Sequence, residues 1–255
     1  MLFRSRLAAE LATVSLARGD CDGGARTLAR RLAAQVRIHG SSRLAGGISS
    51  LLTTSGVSCV THTDPAVQMA GSPSPPPPAT PPPATARPAA TPSPPSAAAS
   101  PRMAPAGAAR PDLVVLTARH LPELQAELMR DQIPHLVVSA SEAIGIVGPL
   151  VMPGRTACLR CLDLLRTDHD PAWPLILAQL ADRPPGPLAC DAPLAAAVAA
   201  QATSQALAFI DVTPGAVAVT NGTLELVLPG WQWRRRTWPP HPDCSCGSHA
   251  RATSD

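Results

Sequence analysis

The chain has 255 residues, 45% of them hydrophobic, and a formal net charge of +3, a balance that points to a folded core and away from a nucleic-acid partner. All 21 basic side chains are Arg, so no lysine is present to contact phosphate or form a Schiff base. No stretch reaches the ~18 uninterrupted apolar residues of a membrane span, and Arg4, Arg6, Glu10 and Arg18 break up the N-terminus where a secretory signal needs an apolar core. The expectation is a cytoplasmic protein with no membrane partner.

Residues 1–34 carry apolar positions at helical spacing (Leu7, Leu11, Val14, then Leu28, Leu32) interrupted by Gly19, Gly23 and Gly24, which predicts an N-terminal segment of two short helices. Residues 35–71 read as a βαβ unit. Val36-Arg37-Ile38 is its first strand, the turn Gly40-Ser41-Ser42-Arg43 follows, Leu44, Ile48, Leu51 and Leu52 mark a helix stopping at Gly56, and Val57 to Thr63 is a second strand ending at Asp64. Residues 72–111 hold 15 of the 31 prolines and are expected to form an extended, disordered insertion.

Over residues 112–247 the αβ alternation resumes. Strands are predicted at Asp112 to Leu116, Pro134 to Val138 and Ile146 to Met152, with helices at Leu121 to Asp131 and Ala192 to Phe209. Val217 to Thr220 and Leu224 to Leu228 flank Asn221-Gly222, a strong hairpin signal. Arg234-Arg235-Arg236, beside Trp231, Trp233 and Trp238, reads as a solvated strand or tail, and residues 248–255 as a disordered tail.

Two constellations carry chemistry. Cys158-Leu-Arg-Cys161 and Cys244-Ser-Cys246 offer two thiolate pairs, the soft tetrahedral set that Zn(II) prefers, on segments that read as turn-rich. The second pair is one residue tighter than a usual C-x-x-C, which leaves open that His241 replaces one sulfur. The Gly40 turn, with Gly46 and Gly47 beyond, sits where a nucleotide fold brings backbone to phosphate. There Ser41 or Ser42 could equally be an ordinary helix N-cap. Asp64, about 20 residues on, stands where an acidic residue would hold a ribose hydroxyl. Cys190, just before the Ala-rich helix, is a weak candidate catalytic nucleophile, its thiol expected to be lowered by the helix N-terminus, or else a small buried residue.

The order of these motifs resembles the ThiF/MoeB/HesA superfamily, the bacterial relatives of ubiquitin-activating enzymes. The resemblance runs from about Val36 to Gly247 through V-x-I-x-G-x-x-R-L, Asp64, Asp112-Leu-Val-Val, the segment Gly148-Pro-Leu-Val-x-Pro-Gly154-x-Thr-x-Cys158-Leu-x-Cys161, and His241-Pro-Asp-Cys244-x-Cys246. It implies an α/β, Rossmann-like ThiF-type fold with a parallel sheet, a C-terminal hairpin and zinc-stapled loops. It also implies a structural zinc on Cys158, Cys161, Cys244 and Cys246, and a nucleotide site at Gly40, Ser42, Arg43 and Asp64. The closest similarity is to the branch that accompanies azoline-forming cyclodehydratases. That implies a precursor peptide or small carrier protein, a cyclodehydratase partner, and homodimers. The chain departs from the family where later glycines of the turn become Ser42 and Ala45, where Arg119 replaces an acidic magnesium ligand, and where a phosphate-contacting Lys is missing. These departures weigh against ATP and Mg²⁺. They favour a peptide- or partner-binding component over the alternative, an active ATP-dependent adenylyltransferase.

Overall fold

The computed structural model describes residues 7–18, 22–40, 42–63, 110–117, 121–181, 190–213, 215 and 217–248. Ser41, Asp64, Arg119, nearly all of the proline-rich segment and the residues after Ser248 lie outside them.

Helices α1 (Ala8–Arg18) and α2 (Ala25–Ala33) precede β1 (Gln35–His39), α3 (Arg43–Thr54) and β2 (Cys59–Thr63). After the proline-rich segment come β3 (Leu113–Leu116), α4 (Pro122–Arg130), β4 (His135–Ser141) and β5 (Ile144–Val151). Then follow α5 (Leu159–His169), α6 (Trp173–Ala181), α7 (Ala192–Ile210), β6 (Gly222–Val227) and β7 (Gln232–Thr237). The strands form one sheet in the order β2-β1-β3-β4-β5-β6-β7. The first four are parallel and the last three extend the sheet antiparallel, which bears out the expected α/β architecture.

The four residues of β3 are all buried because helices cover both faces, and a strand covered on both faces needs an unbroken apolar run. Leu113 and Val115 join Val36, Ile38, Leu136 and Val138 under α3 and α7, while Val114 and Leu116 pack with Leu128 of α4. Each fully buried Leu or Ile contributes roughly 1.5–3 kcal/mol. α7 is, among the described residues, the one helix long and apolar enough by composition to cross a membrane. It instead packs along α3, with Leu194, Val198, Ala199, Ala202 and Ala206 in the main core. Its Gln205 accepts a hydrogen bond from the Ala218 amide at 2.7 Å.

Two expectations change. The Asn221-Gly222 hairpin does not form: β6 begins at Gly222 and pairs with β7, the connection running through residues 228–231. Asn221 has a left-handed backbone (φ +48°), but it turns the chain into β6 while its Oδ1 accepts from the Ala157 amide at 2.7 Å. Helix α5 forms where the segment of the first cysteine pair reads as turn-rich, so Cys158 and Cys161 sit on a helix start. Arg110 donates to the carbonyls of Asp131 and Gln132, and Ser248 is fully buried. The arginine run lies in β7, in keeping with a solvated strand.

The N-terminal helices are held by one charged clamp. Arg31 Nη2 lies 2.8 Å from Asp211 Oδ2, and the two side chains are only 4% and 3% exposed. Arg31 also donates through Nε to Asp211 Oδ1 and through Nη1 to the Ser55 carbonyl, so α2 is tied to the C-terminal ends of α7 and α3. Removing one partner strands a buried charge, which costs about 3–5 kcal/mol. We expect Asp211→Ala to lower the free energy of unfolding in urea by about that amount. A loss under 1 kcal/mol, about what an exposed pair is worth, would mean that the clamp is open in solution.

Candidate metal centre and the turn after the first strand

Four sulfurs meet at the end of the sheet where β5 finishes. The Sγ atoms of Cys158, Cys161, Cys244 and Cys246 all lie within 4.8 Å of one another. The Cys158–Cys161, Cys158–Cys244 and Cys161–Cys246 separations are 3.8, 3.6 and 3.5 Å. A tetrahedron with Zn–S bonds near 2.3 Å has edges of roughly 3.8 Å, so these sulfurs are spaced to hold one ion with little adjustment.

Local sequence builds each side of the cluster. Gly148 has φ +102°, and a Cβ there would come within 2.7 Å of the Gly222 carbonyl, so only glycine lets β5 approach β6 this closely. The turn that follows is braced by Thr156, whose Oγ1 accepts from the Met152 amide and donates to the Leu150 carbonyl. Cys158 is then the N-cap of α5, which places Cys161 in the first turn, where the helix dipole favours negative sulfur. On the other side, Trp238 is buried and donates to Thr223 Oγ1 at 3.0 Å, with the Arg166 guanidinium 4.9 Å from its ring. Ser248 closes the loop: its hydroxyl donates to the Thr156 carbonyl at 2.6 Å and accepts from Cys246 at 3.3 Å.

His241 does not take a sulfur's place. Its Nδ1 accepts from the Asp243 amide at 3.1 Å, which leaves Nε2 to donate to Asp168 Oδ2 at 2.9 Å. Both ring nitrogens are thus spent on orienting the Cys244 loop against α5.

In the metal-free state the thiols share charge unequally. The hydrogen bond from Cys158 brings the Cys161 thiol down to about 4. That same contact, with burial, drives Cys158 far up, and burial pushes Cys244 up to about 11. A cation is what allows all four to be thiolates together.

The predicted nucleotide residues cluster only in part. Gly40 (φ +121°) follows β1, and a Cβ on it would collide with the hydroxyl of Thr117, which donates to the His39 carbonyl at 2.8 Å. Ser42 is the N-cap of α3, its Oγ accepting from the Ala45 amide at 3.3 Å. The ordinary capping role is therefore the one adopted, and Thr117, which sequence reading passed over, fills the space beside the glycine. Arg43 is exposed and close enough to Cys190 to favour its thiolate. The Cys190 thiol nevertheless moves up, against expectation, because burial and then the neighbouring Asp191 carboxylate disfavour its charge. It is a poor nucleophile at neutral pH.

No protein-family model matches the chain, and no curated protein matches it. Solved structures do. Escherichia coli MccB, determined with AMPCPP and selenomethionyl MccA, superposes with a TM-score of 0.57 at 14% identity, over 89% of this chain and 70% of MccB. The chain has the MccB fold. The microcin C7 biosynthetic enzyme MccB in complex with N-formylated MccA matches at a TM-score of 0.56 and 14% identity, over 88% of this chain and 70% of that one. The heterocyclase TruD matches at 0.53 and 14%, over 88% of this chain but only 29% of TruD. The ThiF-type fold implied by the sequence resemblance is thus the fold found.

Because Cys158 and Cys244 are protonated at neutral pH in the metal-free chain, metal uptake must displace at least their two protons. We expect zinc titration in buffers of different ionisation enthalpy to report that release, and the apparent affinity to fall as pH falls. Cys161→Ser should abolish stoichiometric zinc and lower the melting temperature. Uptake with no proton release would mean that the metal sits elsewhere.

Proposed function

We propose that this chain is a divergent ThiF-type protein that binds a precursor peptide, or the partner enzyme acting on one, within a peptide-modifying system of the cyclodehydratase type. Cys158, Cys161, Cys244 and Cys246 would hold a structural zinc that joins α5 to the C-terminal segment, away from any chemistry. MccB has been solved with MccA bound, which supports a peptide as the ligand class.

The observation that carries the binding reading is the state of the turn after β1. A phosphate cradle needs free amides at a helix N-terminus and open space above glycine. Here Ser42 takes the Ala45 amide and the Thr117 hydroxyl fills the space beside Gly40. The residues present do not fit a nucleotide triphosphate without displacing the chain's own hydroxyls. No lysine is available to replace that lost donor set, and adenylation without a charge clamp on the phosphates loses its main electrostatic stabilisation.

One observation favours the alternative, an ATP-dependent adenylyltransferase. MccB has also been solved with ATP, and Arg43 stands exposed at the same end of the sheet, free to meet an anion. Calorimetric titration of the zinc-loaded protein with ATP and Mg²⁺ separates the two. We expect no saturable heat up to about 1 mM ATP, weaker than about −4 kcal/mol, while a precursor peptide encoded beside this chain is retained on the immobilised protein. Magnesium-dependent binding near 1 μM, about −8 kcal/mol, abolished by Arg43→Ala, would instead establish the adenylating enzyme.

A further inference from the structure

β7 is the last strand of the sheet and pairs with β6 alone among the described strands. Trp238, the residue after β7, donates to the Asn221 carbonyl at 2.8 Å, which continues the register Gly222↔Thr237 by one bonded pair. Bonded and non-bonded pairs alternate along an antiparallel ladder. Gln232, Arg234 and Arg236 therefore turn their amides and carbonyls to β6, and Trp233, Arg235 and Thr237 turn theirs to the outer edge. Six residues run there in unbroken register, with neither the proline nor the bulge that commonly blunts an edge. Charge is the guard this edge does carry.

The arginines divide between the two faces, because neighbouring side chains of a strand point opposite ways. Arg235 is spent within the chain. Its Nε and Nη2 donate to the carbonyls of Ala218 and Thr220 at 2.8 and 3.1 Å, and its Nη1 to Thr237 Oγ1 at 2.8 Å. On the same face Trp233 packs half-buried against the main core. Arg234 and Arg236 stand exposed on the other face. Arg236 Nε lies 3.4 Å from Glu225 Oε1, and its guanidinium 5.5 Å from the Trp238 ring. Arg234 is paired in register with the same Glu225 but makes no hydrogen bond or ion pair among the described residues. Two cations thus share one carboxylate, and a positive charge is left over beside the open edge.

We propose that the outer edge of β7 receives an extended acidic peptide as an eighth strand. Its backbone exchanges hydrogen bonds with Trp233, Arg235 and Thr237. Its carboxylates fall at alternate positions beside Arg234 and Arg236, and the apolar side chains between them lie along Trp233. Strand addition takes affinity from main-chain bonds and specificity from such alternate side chains. Charge decides the occupant. In a second copy added antiparallel, every register that uses two or more of the three outward residues sets arginine opposite arginine, which is destabilising. A segment with Glu or Asp at those positions turns the repulsion into attraction. The inference deepens the peptide-binding reading, on which it rests for the natural ligand, by giving that ligand a place and a charge.

The experiment is amide hydrogen exchange followed by NMR on the full-length, zinc-loaded protein. The probe is a short acetylated and amidated peptide of alternating Glu and Val. One control replaces Glu by Lys; the other is N-methylated at Val, which keeps the charges but cannot complete the ladder. We expect the probe to slow exchange saturably at Trp233, Arg235 and Thr237, while the amides of Arg234 and Arg236, already bonded to β6, change little. Arg234→Glu should weaken binding about fivefold or more with zinc content and melting temperature unchanged. Absence of this alternation, equal binding of either control peptide, or an affinity indifferent to Arg234→Glu would overturn the site. Protection of the same amides that grows with protein concentration in the absence of peptide would overturn it in favour of a second copy. A natural precursor that binds without protecting these amides would remove this site and leave the peptide-binding reading standing. Protection by the probe, with no precursor retained, would do the reverse.

Discussion

Like charges cannot gather without a counterion, and the C-terminal part of this protein is organised around that constraint. Cys158 and Cys244 are 86 residues apart in sequence, yet their sulfurs lie 3.6 Å apart, in a cluster that includes Val151, Leu162 and Trp238. Trp238 is the one large ring among the buried residues of that cluster. The four sulfurs are spaced to hold a cation that would cross-link the segment, and structural zinc sites contribute folding energy directly. The surrounding hydrogen bonds serve that geometry. Asn221 fixes the Ala157 amide, Asp168 and the Asp243 amide fix His241, and Ser248 joins Cys246 to the Thr156 carbonyl.

The opposite end of the parallel strands shows the converse. There the features of a phosphate site persist as backbone shape while their polar capacity is used internally. Gly40 keeps its positive φ because the Thr117 side chain presses against it, so the glycine is explained by packing alone. Ser42 supplies a cap of the ordinary kind, a type of interaction worth about 1 kcal/mol. A turn satisfied in this way is held by the chain's own contacts.

What the sequence disclosed, and what it concealed, follows from how local each signal is. The strands β1, β3 and β4 and the helices α3, α4 and α7 were legible because apolar periodicity reports burial directly. The cysteine pairs were legible because soft ligands at close spacing have few other uses. The hairpin at Asn221-Gly222 was misread because a left-handed residue signals a turn without saying which strands it joins. The partner of Asn221 is Ala157, 64 residues away. Helix α5 was missed because the segment that carries Cys158 and Cys161 read as turn-rich, and the stretch that forms α6 carried no prediction. The rise of the Cys190 thiol was misjudged in sign because the helix dipole was weighed without burial, the larger cause, and without the carboxylate of the adjacent N-cap residue Asp191. Asp64 and Arg119 lie outside the described residues, so their expected roles rest on sequence.

The two ends are joined by one element. β5 starts beside the β4 turn and finishes at Val151, in the core of the cysteine cluster. Eight residues of strand span roughly 27 Å at about 3.4 Å each, so the cysteine cluster and the Gly40 turn make no direct contact. Any mechanical influence must therefore travel through packing. β5 lies between β4 and β6 with Val147, Leu150 and Val151 fully or almost fully buried, which leaves it no second arrangement to adopt. Coupling between distant sites requires an element with two states, and this strand has a single state. A metal at the cysteine cluster would then bear on how firmly the C-terminal segment is held, while the chemistry at either end is determined by the side chains that stand there.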